Sequence, residues 1–118
     1  MLNFDVSTER EGDSALVRLT GDLDIQVAEQ AATAVEEAEA GAPKLLVIDL
    51  SGLSFMDSSG MAVIAAAHAR ALDAGRRFVI VNPRGGVRRA FEVSGLDQSI
   101  ETVDELAGVY PPGSSGAS

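Results

Sequence analysis

Hydrophobic and polar residues alternate along two runs near the start of the chain, residues 2–8 and residues 15–21. In the first run the apolar positions begin at Leu2 and recur at every second residue. This period of two is typical of a strand with one buried face. The joining segment, residues 11–14, contains the glycine, aspartate and serine of a tight turn. The pattern therefore predicts a β-hairpin.

Three later segments have small and apolar residues at every third or fourth position, the spacing of a helix with one buried face. The predicted helices cover residues 25–40, 57–74 and 84–93. Asp24 is placed to cap the first of them, because an aspartate oxygen accepts hydrogen bonds from the amides of a first helical turn. A glycine follows each predicted end within two residues and favours termination there.

Apolar runs at residues 45–50 and 78–81 separate these helices and predict buried strands, with residues 51–56 as a short crossing. Residues 100–103 predict an edge strand and residues 104–109 a last short helix. Strand–helix–strand order implies parallel pairing with right-handed crossovers. The predicted fold class is α/β, a mixed sheet of four to five strands with four helices packed on it.

The second predicted helix has two sides. The side predicted to face the sheet consists of Met61, Ile64, Ala65, His68 and Leu72. The side predicted to be exposed, with alanines that let a partner come near, consists of Val63, Ala66, Arg70 and Asp73. We therefore expect a partner to reach this helix along its second side.

The length of 118 residues fits one domain, predicted to span residues 1–110. Residues 111–118 contain only proline, glycine, serine and alanine and are predicted to form a disordered tail. The longest apolar run, residues 61–67, is far shorter than the ~20 residues of a membrane-spanning helix. The N-terminus has no apolar signal core. These features predict a monomer in the cytoplasm, without membrane contact.

Composition removes several kinds of chemistry. The chain has no cysteine, which excludes disulfides, thiolate metal sites and cysteine nucleophiles. A single histidine, His68, is too few for a histidine-based metal site. The sequence therefore predicts neither a metal nor a cofactor.

Charge points to the class of partner. The net charge is −9, and residues 1–57 carry twelve acidic and three basic residues. Nucleic acids and anionic membranes both need positive charge at the contact, so neither is an expected partner. A protein with a basic patch fits the acidic half better.

The most informative segment begins the second predicted helix at Asp57, Ser58, Ser59 and Gly60. The first four amides of a helix lack partners within the helix and attract anions. Ser58 can cap the helix unmodified, or it can carry a phosphate that these amides partly solvate. Gly60 has no side chain, so another protein can come close to the hydroxyls.

Acidic residues are expected around this serine. Asp22 and Asp24 follow a predicted strand end that can lie beside the start of the helix, and Asp57 is adjacent in sequence. A phosphate on Ser58 would be repelled by these carboxylates, which opposes its attraction to the helix amides. Modification would then change the surface potential more than the conformation, as a binding switch requires.

Four segments in order resemble the signature of STAS-domain anti-sigma factor antagonists. The similarity covers about residues 3–108 and lies in residues 19–24, 47–50, 53–60 and 87–96. The resemblance implies a protein that binds an anti-sigma factor, itself a serine kinase of the histidine-kinase-like ATPase fold. Binding frees a sigma factor. The kinase then uses ATP and Mg²⁺ to phosphorylate the first serine of the motif and is released, and a PP2C-type phosphatase restores the unmodified form.

Residue by residue, the resemblance makes Ser58 the phosphoacceptor. Ser59 matches a position that holds serine or threonine in the family, and Asp22 and Asp24 match acidic positions near it. Met61 and Ala62 depart from the family's frequent leucine and glycine. The residues predicted to bind the partner are Asp22, Asp24, Asp57, Ser59, Gly60, Met61 and Val63.

Three other functions compete with this interpretation. A hydrolase is disfavoured because Met56 stands where a Gly-x-Ser-x-Gly elbow needs glycine, and His68 lies about 15 Å along the helix from Ser58. A nucleotide-binding module is disfavoured because no Gly-x-x-x-x-Gly-Lys motif is present. The remaining alternative is a STAS scaffold or regulatory subunit of a signalling assembly or transporter, without a phosphorylation switch. No catalytic residue is predicted.

Overall fold

The computed structural model describes residues 3–109, which form one mixed sheet with helices on one side. The strands are β1 (Phe4–Glu11), β2 (Ser14–Leu23), β3 (Leu45–Asp49), β4 (Leu53–Met56), β5 (Arg77–Val81) and β6 (Glu101–Val103). The helices are α1 (Ala28–Ala40), α2 (Ser58–Ala74), α3 (Gly85–Ser94) and α4 (Leu96–Ser99), followed by a 3₁₀ turn at Leu106–Gly108. Leu2 and the predicted tail, residues 111–118, lie outside the described residues.

Five strands lie side by side in the order β1-β2-β3-β5-β6, which confirms the predicted mixed sheet. β1 and β2 form the predicted antiparallel hairpin, and the other neighbours pair in parallel. β4 is a sixth strand, where the pattern predicted only a crossing. It pairs in parallel with the last residues of β2, beyond the end of β3. A four-residue run is too short to show a periodicity, so this pairing depended on tertiary contact.

The start of α1 also differs from the prediction. The helix begins at Ala28, and the residue before it, Val27, makes no side-chain cap. Asp24 instead accepts a hydrogen bond from the backbone N–H of Gln26 at 2.9 Å. The aspartate therefore stabilises a turn that precedes the helix, which is a common alternative use of this side chain.

Apolar residues are buried on both faces of the sheet, which explains the nearly continuous apolar runs of the central strands. On the helix side, Leu19, Ile48 and Ile80 pack against residues of α1, α2 and α3. On the other side, Val47 and Val79 pack in a smaller cluster that the end of the described chain covers. No helix within residues 3–109 is long and apolar enough to cross a membrane.

The orientation of α2 corrects the predicted stripes. Its buried residues are Gly60, Ile64, Ala67 and Ala71, so only Ile64 of the predicted inner stripe is fully buried. Leu72 is instead 68% exposed. On the other predicted side Val63 packs partly against the core, and Arg70 contacts Glu39 of α1 through its Nε, 2.8 Å from the carboxylate. Small residues face the sheet because α2 lies close to it.

Candidate functional site

The start of α2 is held by Asp57 rather than by a serine. Asp57 has extended backbone angles, and its Oδ1 accepts hydrogen bonds from the N–H groups of Ser59 at 2.9 Å and Gly60 at 3.2 Å. Two of the four free amides of the helix start are thereby satisfied. The expectation that Ser58 caps the helix is wrong, because Asp57 already performs that role.

Ser58 is the first residue of α2 and is exposed. Its hydroxyl makes no hydrogen bond with any residue from 3 to 109. The following Ser59 is half-buried. Of the two hydroxyl-bearing residues, Ser58 is therefore the more accessible to another protein.

The end of β2 lies beside this helix start, as the sequence led us to expect. The backbone N–H of Asp57 donates to the carbonyl oxygen of Leu23 at 3.2 Å, and Leu23 pairs with Met56 in the sheet. Asp22 and Asp24, on either side of Leu23, are thus brought to the site.

None of these aspartates is neutralised by an ion pair within residues 3–109. Asp22 accepts a hydrogen bond from the side-chain amide of Asn3 at 2.8 Å, and Asp24 accepts the one from Gln26. Both donors are uncharged, so the carboxylates keep their negative charge. The start of α2 is therefore an acidic surface beside an exposed hydroxyl.

Gly60 has a different role from the predicted one. It is buried, and a Cβ atom at this position would lie 2.7 Å from the Cγ atoms of both Leu23 and Met56. The missing side chain therefore makes room for the protein's own core, and not for a partner. Met61 and Val63, which follow it, are partly buried against the same core.

An apolar groove of about 490 Å³ runs between α2 and the α3–α4 segment, and Ser58 is one of its lining residues. The other lining residues are Met56, Asp57, Met61, Ala62, Ala65, Ala90, Val93, Ser94 and Leu96. Sequence reasoning missed the contribution of α3 and α4. Val93 was the available signal, because it falls outside the inward positions of its helix and is 81% exposed.

The described residues show no constellation for catalysis or metal binding. No group of three or more histidine, cysteine, aspartate or glutamate side chains within residues 3–109 is arranged to hold a metal ion. His68 packs its ring against Phe78, with 5.8 Å between ring centroids. α2 is continuous from Ser58 past His68, so the two residues are separated as the helical rise predicts.

Known proteins match this arrangement closely. The sequence profile of the STAS domain family matches residues 5–108. An anti-sigma F factor antagonist of Lysinibacillus sphaericus is 35% identical over 86 residues, covering 71% of this chain and 73% of the relative. The crystal structure of an anti-sigma factor antagonist from Mycobacterium paratuberculosis has a TM-score of 0.82 and 27% identity, covering 91% of each chain. The anti-sigma factor antagonist SpoIIAA in its unphosphorylated form has a TM-score of 0.76 and 26% identity, covering 89% of this chain and 93% of SpoIIAA. These matches extend over both the sheet and the groove.

Proposed function

The chain belongs to the STAS domain family, and from this premise we propose that it is an anti-sigma factor antagonist controlled by phosphorylation of Ser58. In its unmodified form it binds an anti-sigma factor that is a serine kinase of the histidine-kinase-like ATPase fold, and a sigma factor is released. Phosphorylation of Ser58 by that kinase ends binding. A PP2C-type phosphatase removes the phosphate and restores the binding form.

The observation that carries this proposal is the separation of Ser58 from the helix cap. The hydroxyl is exposed and makes no hydrogen bond within the described residues, while Asp57 holds the helix start. A kinase can therefore reach Ser58 without first breaking a contact of the fold. The antagonists named among its relatives support the same function.

The electrostatics of the site favour a switch in binding. A phosphate adds a charge of roughly −1.5 to −2 at neutral pH. Because Asp57 already accepts from the amides of Ser59 and Gly60, these amides are not free to compensate the phosphate. The added charge would face outward beside Asp22 and Asp24. Like charges that meet at an interface cost several kcal/mol, which is enough to release a partner that presents an acidic group there.

The proposal makes the chain a substrate of the kinase and assigns it no catalysis and no cofactor of its own. We place its action in the cytoplasm, where sigma factors work, with the monomer as the binding unit. The predicted contact surface is the start of α2 with the end of β2, including Asp22, Asp24, Asp57 and Ser59. Gly60 supports this surface from within the core.

Affinity capture from the native host, with Ser58→Ala and Ser58→Asp as baits, tests the proposal. We expect the alanine form to retain an ATPase-fold serine kinase and the aspartate form to retain at least tenfold less. The captured kinase, with ATP and Mg²⁺, should phosphorylate the wild-type chain and a Ser59→Ala control, but not Ser58→Ala. Mass spectrometry gives both results. Capture of the same transporter or scaffold proteins by both baits would instead identify a constitutive subunit.

A further inference from the structure

The groove beside Ser58 exposes more apolar surface than folding explains. Its walls are Met61, Ala62 and Ala65 of α2 on one side, and Ala90 and Val93 of α3 on the other. Single exposed apolar side chains are normal, but contiguous apolar patches mark contact sites. The 81% exposure of Val93 places a large aliphatic side chain on the rim of such a patch.

Two further apolar side chains are exposed near the same end of the molecule. Phe55 is 49% exposed and pairs with Asp22 across the sheet, and Ile25 is 74% exposed directly after Asp24. The apolar surface therefore continues from the groove toward the end of β2. Apolar contacts with charged groups at their border are the usual composition of a protein interface.

The charge at this end selects the class of occupant. Asp57 belongs to the groove lining, and neither it nor Asp22 nor Asp24 forms an ion pair within residues 3–109. A second copy of this chain, with its net charge of −9, would bring the same acids against them. A partner with basic side chains beside an apolar ridge matches the surface instead.

We propose that the groove is the apolar half of the partner-binding surface. It receives a ridge of aliphatic or aromatic side chains from the anti-sigma factor, whose basic side chains lie against Asp57 and its acidic neighbours. This inference rests on the proposed function and extends its contact surface from α2 to α3 and α4. Ala90, Val93 and Leu96 become binding residues.

The position of Ser58 gives the groove a part in the switch. Because Ser58 lines one end of the groove, a phosphate on it lies where the apolar ridge must displace water. Removing water from an uncompensated charge is strongly unfavourable. Phosphorylation would thus oppose binding through desolvation as well as through repulsion.

Two pairs of matched variants test the groove. Val93→Ala and Leu72→Ala each shorten an exposed aliphatic side chain, but only Val93 lines the groove. Ala62→Gln and Ala69→Gln each add an uncharged side chain to an exposed position of α2, on the same side and two turns apart. Only the first of these fills the groove.

Each anti-sigma factor encoded by the host is purified and titrated against all four variants, wild type and Ser58→Asp by isothermal calorimetry. We expect Val93→Ala and Ala62→Gln to weaken binding at least tenfold and the Leu72 and Ala69 variants to change it less than twofold. Circular dichroism should show all four folded, because the substituted positions are exposed.

The outcomes separate the two proposals. If Ser58→Asp loses binding while both groove variants bind like wild type, the switch holds and the groove inference is overturned. If no anti-sigma factor binds the wild-type chain, the proposed function fails, and the groove inference fails with it. If light scattering shows that the wild-type chain dimerises and that the groove variants are monomers, a second copy occupies the groove and the inference is also overturned.

Discussion

At the scale of single residues, Asp57 and Ser58 divide two tasks that a serine at a helix start can combine. Asp57 accepts the hydrogen bonds of Ser59 and Gly60, and Ser58 has no hydrogen bond within the described residues to lose. Modification of the serine therefore leaves the helix start intact. This separation allows the surface charge to change while the fold stays the same.

Replacing each residue by alanine should show this division directly. We expect Ser58→Ala to change the free energy of unfolding by less than about 0.5 kcal/mol, as at an ordinary exposed position. Asp57→Ala should lower it by about 1 kcal/mol, the usual loss for a helix cap. Urea unfolding followed by circular dichroism measures both values.

Asp57→Asn is the control for the cap, because asparagine keeps an oxygen that accepts from the same amides. It should be nearly as stable as wild type. A loss from Ser58→Ala as large as that from Asp57→Ala would contradict the assignment of the cap.

At the scale of elements, the position of α2 depends on close packing at its first turn. Gly60 lies against Leu23 of β2 and Met56 of β4, with no room for a Cβ atom. Farther along, Arg70 of α2 forms an ion pair with Glu39, which ties the helix to α1. These contacts turn Gly60, Ile64, Ala67 and Ala71 toward the sheet. Ala62 and Ala65 are left to line the groove.

Gly60→Ala should therefore destabilise the protein, although alanine favours a helix by about 1 kcal/mol over glycine. Overpacking against Leu23 and Met56 is expected to lower the free energy of unfolding by about 1–3 kcal/mol. Thermal and urea unfolding measure the change.

Gly86→Ala is the matched control, since Gly86 lies in α3 and a Cβ atom added there would meet no atom within 4 Å. This variant should be as stable as wild type or more stable, by up to about 1 kcal/mol. Equal stability of the two alanine variants would mean that the first turn of α2 is not tightly packed.

At the scale of the whole molecule, basic residues are largely neutralised while the acidic end is not. Five arginines form ion pairs within the described residues, namely Arg18, Arg70, Arg76, Arg77 and Arg88. Arg77 also holds the pKa of Glu101 below its ordinary value of 4.5, chiefly through their hydrogen bond. Asp22, Asp24 and Asp57 have no such partner within residues 3–109, so the negative field is strongest where we place the contact surface.

Association with a basic partner should therefore depend on salt. Screening shortens the reach of charges from about 10 Å at 0.1 M to about 3 Å at 1 M ionic strength. We expect the association rate with the anti-sigma factor to fall with salt more than the dissociation rate changes. Stopped-flow measurement of both rates provides the test.

Asp24→Asn should lower the association rate at low salt at least about twofold, because it removes one charge from the contact surface. Asp73→Asn is the control, with the same change of charge at an exposed position near the far end of α2. Equal effects of the two variants would show that only the net charge matters, and not its position.

The local pattern of the sequence was enough to predict most elements and the place of the candidate site. Alternation, helical spacing and glycines depend on neighbouring residues, so the hairpin, the three main helices and the central strands could be read directly. The serine at the start of a helix after a buried strand was visible for the same reason. The identity of the cap was not, because Asp57 and Ser58 are both good caps and only the backbone angles distinguish them.

Contacts between distant residues decided the rest. β4 is a strand because Leu53–Met56 pairs with the end of β2, about thirty residues earlier in the chain. The side of α2 that faces the sheet follows from the fit of Gly60 against Leu23 and Met56, which no helical period contains. The groove exists only because α2 and α3 pack as neighbours around Ser58, and that arrangement is a property of the folded chain alone.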